Sequence, residues 1–106
     1  MKSEIVEEIQ KSMIKNFLDI IVLAELRKSS PLSGYDVLDL IHKKFDVLIS
    51  SGTIYSLLYS MERKGLIEGE LTDGKRVYAL TDKGTNASSA FLKSKEELQR
   101  FLGTLF

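Results

Sequence analysis

Apolar residues recur along this chain at two different periods, and the change of period divides it. Over the first stretch Ile5, Ile9, Met13, Phe17, Ile20, Ile21 and Ala24 fall at helical spacing and form one long stripe. Ser3 is placed to cap this helix, with Glu4, Glu7 and Glu8 near the positive end of its dipole and Lys28 near the negative end. Ser29-Ser30-Pro31 stops it, because the residue before a proline avoids helical angles. The pattern does not decide whether this long helix is broken near Ser12. A second helix starts at Ser33, where Ser33-Gly34-Tyr35-Asp36 reads as a capping box. Val37, Leu38, Ile41 and Phe45 give it a buried face, and it fades around Lys43-Lys44. Ser50 caps a third helix with a stripe of Ile54, Leu57, Leu58 and Met61, closed by Arg63, Lys64 and a left-handed Gly65.

Beyond Gly65 the period drops to two. Leu66-Ile67-Glu68-Gly69-Glu70-Leu71 and Arg76-Val77-Tyr78-Ala79-Leu80 read as short strands. Between them lies Thr72-Asp73-Gly74-Lys75, whose Asp-Gly pair suits a turn with positive φ angles. Thr81 then caps a single last helix, with an apolar stripe of Ala87, Ala90, Phe91, Leu98, Phe101, Leu102 and Leu105. Three helices followed by a two-stranded hairpin make the winged helix-turn-helix plan, mainly α with a small β-hairpin, here with an additional C-terminal helix.

Composition narrows the chemistry. With 106 residues the chain is one domain with a modest core that a second copy would enlarge. The absence of cysteine excludes a disulfide framework and thiolate metal sites. His42 is the only histidine and cannot anchor a common zinc site, so no metal and no cofactor are expected. No Ser-His-Asp order, glycine-rich phosphate loop or Gly-x-Ser-x-Gly is present, and the chain does not read as an enzyme. The apolar run Ile20–Ala24 sits between Asp19 and Glu25, too short and too charged to span a bilayer. A cytoplasmic protein with no membrane partner is the expectation. Fifteen basic residues balance fifteen acidic ones, so affinity for nucleic acid would have to come from local geometry rather than net charge.

The third helix has that geometry. Its apolar stripe leaves Ser51, Thr53, Tyr55, Ser56 and Tyr59 outside, an uncharged face of hydroxyls and aromatic rings able to bond base edges and phosphates. The free N–H groups at its start make a phosphate site. Ser33 and Tyr35 stand where the preceding helix would cross the DNA backbone, and Lys75 and Arg76 where a wing would reach it. Structural packing of one tyrosine, and simple solubilising charge at the hairpin tip, remain alternative roles.

Several linked stretches resemble one family. Leu32-Ser33-Gly34-Tyr35-Asp36-Val37, Ser50-Ser51-Gly52-Thr53-Ile54-Tyr55-Ser56-Leu57-Leu58, Lys64-Gly65-Leu66-Ile67 and Arg76-Val77-Tyr78-Ala79-Leu80-Thr81-Asp82-Lys83-Gly84 are similar, in order, to the PadR family of winged-helix transcriptional regulators. The resemblance spans about residues 32–84. Ser33 replaces a common histidine, Ser51 replaces a common proline, and a single helix after the wing suggests a short-form member. The resemblance implies a homodimer that binds double-stranded DNA at inverted-repeat operators and represses transcription, often under control of a small-molecule effector whose identity the residues do not give.

The resulting division is a DNA-binding domain over residues 1–84 and a dimerisation helix over 85–106, packed with the N-terminal helix. Ile5, Ile9, Met13, Phe91, Leu98, Phe101, Leu102 and Leu105 are the expected dimer contacts. Alternatives are a winged helix used only for protein association, a small-molecule sensor using the dimer interface, and a last helix folded back onto its own domain.

Overall fold

The first amphipathic stretch folds as two helices rather than one, α1 over Glu4–Asn16 and α2 over Leu18–Lys28. In the computed structural model, which describes residues 3–106, the break falls at Phe17 and not near Ser12. Phe17 shares its N–H between the Met13 and Ile14 carbonyls at 3.0 and 3.3 Å. Asn16 turns its side-chain amide back onto the Ser12 carbonyl at 2.9 Å, a local bond that competes with helix propagation. No residue of α1 is buried, whereas α2 buries Leu18, Val22, Leu23 and Leu26.

The buried phase of α2 differs from the stripe expected from the sequence. Phe17 is exposed, and Ile20, Ile21 and Ala24 are half-buried. The reason is that α2 is apolar almost all round: one face meets the core, while Ile20, Leu23 and Ala24 meet Phe91 and Leu92 of the last helical region. A helix covered on two sides gives no single stripe to read.

After α2 the chain makes a two-residue strand β1, Leu32–Ser33, then helix α3, Gly34–Phe45. The Ser33 hydroxyl accepts the Asp36 N–H at 3.1 Å, and the Asp36 carboxylate accepts the Ser33 N–H at 2.9 Å, completing the capping box. Asp46, at φ 55°, ends α3 in a left-handed turn. Val47 and Ile49 in the following connection enter the core. Helix α4, Ser51–Arg63, inserts Ile54, Leu58 and Met61 fully, with Leu57 at the edge.

Strands β2, Ile67–Thr72, and β3, Lys75–Leu80, form the hairpin, and β1 adds to it in the order β1-β3-β2, all antiparallel. Thr72 pairs with Lys75 across a two-residue turn in which Asp73 and Gly74 both take positive φ, 51° and 76°. The third strand, too short to show a period, had no sequence signal. Ile67 and Tyr78 close the core from the sheet side.

Two helices follow the sheet where one was expected: α5, Asp82–Lys93, and α6, Lys95–Leu105, broken at Ser94. Helix α5 folds back on α2, where Arg27 donates to the Ser88 and Ser89 hydroxyls at 2.8 Å each. Helix α6 buries nothing. The radius of gyration, 14.8 Å, exceeds the roughly 13 Å of a compact chain this long, consistent with α6 and the first turns of α1 standing off the body, while Ile14 near the end of α1 packs against the core. The architecture is the winged helix-turn-helix expected, enlarged by one strand and by two helix breaks.

Candidate nucleic-acid interface

Helix α4 begins where Ser50 accepts the Thr53 N–H at 3.1 Å through its hydroxyl, which also bonds the Thr53 hydroxyl at 2.8 Å. This cap fixes the helix start, and the N–H groups of Ser51 and Gly52 there have no acceptor one turn back. With Ile54, Leu58 and Met61 driven inward, Ser51, Thr53, Tyr55, Ser56 and Tyr59 all lie on the exposed side. Tyr55 and Tyr59 are 51% and 64% exposed, and Tyr35 at the start of α3 is 66% exposed. Arg63 lies over the Tyr59 ring, 5.7 Å from its centroid, and sets a cation beside this face.

Tyr55 also has a structural contact. A Cβ added at Gly34 would collide with its ring, so the ring lies directly on the backbone that opens α3. The Gly-Tyr opening one helix and the tyrosine of the next are two halves of one close approach between α3 and α4.

Two expected contact residues are placed differently from the sequence reading. Ser33 is 6% exposed, and its hydroxyl is committed to capping α3, so it is not offered to a phosphate. Arg76 does not reach out from the hairpin tip. Its Nη2 meets Glu62 Oε2 of α4 at 2.6 Å, which also raises the arginine pKa further above its ordinary value. Lys75 is exposed and lies on the opposite face of the hairpin from Arg76, since neighbours in a strand alternate. It is near enough to Asp36 to help lower that carboxyl, after the two hydrogen bonds with Ser33 that dominate the shift. Lys75 therefore sits on the α3 side of the wing.

Glu62 and Gly69 were not singled out from the sequence. A glycine inside a strand signals a close approach, and that was the available clue. The expected dimer contacts divide in two. Ile5, Ile9, Leu98, Phe101, Leu102 and Leu105 are exposed, while Met13 and Phe91 are half-buried. Among the described residues no helix is long and apolar enough to cross a membrane, and no His, Cys, Asp or Glu cluster is arranged to hold a metal ion.

The model of the transcriptional regulator PadR-like family matches residues 22–90. Among solved structures, a PadR-like transcriptional regulator from Bacillus cereus strain ATCC 14579 is 27% identical, with a TM-score of 0.77 over 89% of this chain and 95% of that one. A PadR family transcriptional regulator from Eggerthella lenta DSM 2243, 24% identical, shares the fold with a TM-score of 0.79 over 96% and 92%. Bacillus subtilis PadR, solved in complex with operator DNA, is 28% identical with a TM-score of 0.63. That match covers 71% of this chain and 46% of the longer protein. No curated protein matches. The matched span runs from α2 through most of α5, taking in the helix pair, the wing and their junctions, and the chain belongs to the PadR-like family of transcriptional regulators.

Proposed function

We propose that this chain represses transcription as a homodimer bound to an inverted-repeat operator. The observation that carries the reading is the outer face of α4. A helix exposed only to solvent would gain nothing from replacing Glu and Lys by Ser51, Thr53, Tyr55, Ser56 and Tyr59, all solvent-facing. Those groups match what a major groove offers: hydrogen-bonding base edges, thymine methyls and flanking phosphates. The N-terminus of α4 would face the groove floor, Tyr35 the backbone beside it, and Lys75 a phosphate under the wing. Likeness to a regulator solved on its operator adds support.

Residues 1–84 would carry recognition, and 85–106 together with α1 would carry dimerisation. Net neutrality implies modest affinity per subunit, so two subunits are needed for tight binding. The test is selection from a random duplex library, followed by titration of the winner at several salt concentrations. A palindromic winner whose affinity falls with salt is expected. Absence of enrichment, with the protein folded, would leave protein association as the use of this winged helix.

A further inference from the structure

The wing is fastened to α4 at one point. Glu62, in the last turn of α4, accepts the Gly69 N–H at 3.3 Å and the Arg76 guanidinium at 2.6 Å. The first donor belongs to β2 and the second to β3, so one carboxylate holds both strands of the hairpin. Gly69 supplies the room. A Cβ built there would lie 2.6 to 2.9 Å from three guanidinium atoms, and a larger residue would push Arg76 off its seat. The Tyr78 ring flanks the same group, 5.8 Å from centroid to guanidinium. Arg76 is thus flanked by a carboxylate, a bare stretch of backbone and an aromatic ring, with about half of its side chain open to solvent.

Among the described residues, no other side-chain hydrogen bond or ion pair from outside the hairpin reaches the outer wing. Residues 70–76 are all exposed, so packing does not hold that half of the hairpin at a defined angle. The ion pair itself is partly solvated, with side chains 47% and 30% exposed, and such a pair adds little to global stability. Its consequence is geometric. We infer that Glu62 and Arg76 form a clasp that sets the angle of the wing against α4, which makes both of them positioning residues for duplex recognition rather than phosphate contacts. This inference rests on the DNA-binding reading above only for its functional consequence.

Glu62→Gln, Arg76→Met and the double variant carrying both, compared with wild type, decide the matter. In the free proteins, hydrogen exchange of the wing amides 69–76 should run about tenfold faster in both single variants and no faster than that in the double variant. On the duplex selected by wild type, both single variants should bind about tenfold more weakly with an unchanged slope of log affinity against log salt, and the double variant should be no weaker than either single one. Two results would overturn the clasp through binding: a slope reduced by about one unit in Arg76→Met, which means that Arg76 meets a phosphate directly, or losses that add in the double variant, which means that the two residues act separately. Unchanged wing exchange in both single variants would overturn it without DNA. A wild type that binds no duplex would defeat the regulatory reading alone, and the exchange measurement would still decide the clasp.

Discussion

Tyr55 carries two loads on one ring. Its inner side rests on Gly34, and about half of its surface is open to whatever α4 meets. Tyr55→Ala is expected to weaken operator binding by about 1–3 kcal/mol and relax base preference, as for a groove-facing residue. Because the same change removes the contact with α3, the melting temperature must be followed beside the titration. A loss explained wholly by unfolding would assign the tyrosine to packing alone. Gly34→Ala provides the complementary view. It forces the ring outward at an overpacking cost of about 1–3 kcal/mol and so displaces the reading face without deleting it. A second residue-scale expectation concerns acid. The bonds from Ser33 hold the Asp36 carboxyl below the usual aspartate range. A group with a lowered folded pKa stabilises fully above its unfolded value of about 3.9, and the contribution disappears as pH falls through the folded one. Asp36→Asn should therefore flatten the fall of melting temperature as the pH drops through and below the ordinary aspartate range. An acid limb identical to wild type would show that the box does not contribute.

At the scale of elements, the wing has one face tied down and one free. Arg76, Gly69 and Tyr78 share the face toward α4, while Lys75 emerges on the other beside the start of α3. Lys75→Met should then lower affinity similarly on all sequences and reduce the salt slope by about one unit. Titrations at several salt concentrations check this, and an unchanged slope returns Lys75 to plain surface charge. The elements also show what the sequence could reveal. Helices α3 and α4 and the hairpin were legible because local chemistry marks them: the Ser33 box, the Ser50 cap, Gly65 at positive φ, and Asp73-Gly74 in the turn. The junction after α4 is instead held across the sequence, for Thr81 donates to the Gly65 carbonyl at 2.5 Å and Lys83 to that of Lys64 at 2.8 Å, bonds over 16 and 19 residues that tie the helix end to the start of α5. The rest was decided by neighbours distant in sequence. The buried phase of α2 depends on α5, strand β1 exists only through its pairing with β3, and the fate of Arg76 depends on a carboxylate 14 residues earlier. Of the expected DNA-facing set, the α4 residues could be placed by period, whereas Ser33 and Arg76 could not.

For the whole molecule, the unfinished feature is the pair of terminal helices. Helix α1 leaves Ile5 69% exposed, with Val6 and Ile9 beside it, and α6 leaves Phe101 58% exposed, with Leu98, Leu102 and Leu105. Neither helix buries a residue within its own chain, although α5, which leads into α6, is well seated on α2. Folding back thus explains Asp82–Lys93 and leaves α6 unaccounted for. Apolar stripes of this extent are more than a lone domain ordinarily presents to water. Two copies meeting through α1 and α6 would bury several of these side chains at about 1.5–3 kcal/mol each, enough for a stable two-fold interface. The two α4 helices would then stand roughly one DNA turn apart, about 34 Å, and the operator would mirror the protein's symmetry. The Phe101→Asp, Leu105→Asp double variant is therefore expected to sediment as a folded monomer and to lose most operator affinity, because each half-site alone is held by a neutral subunit. Circular dichroism establishes that it is folded, sedimentation its mass, and titration its affinity. A folded double variant that remains dimeric, with wild-type operator affinity, would remove α6 from the interface and return its stripe to an unexplained surface.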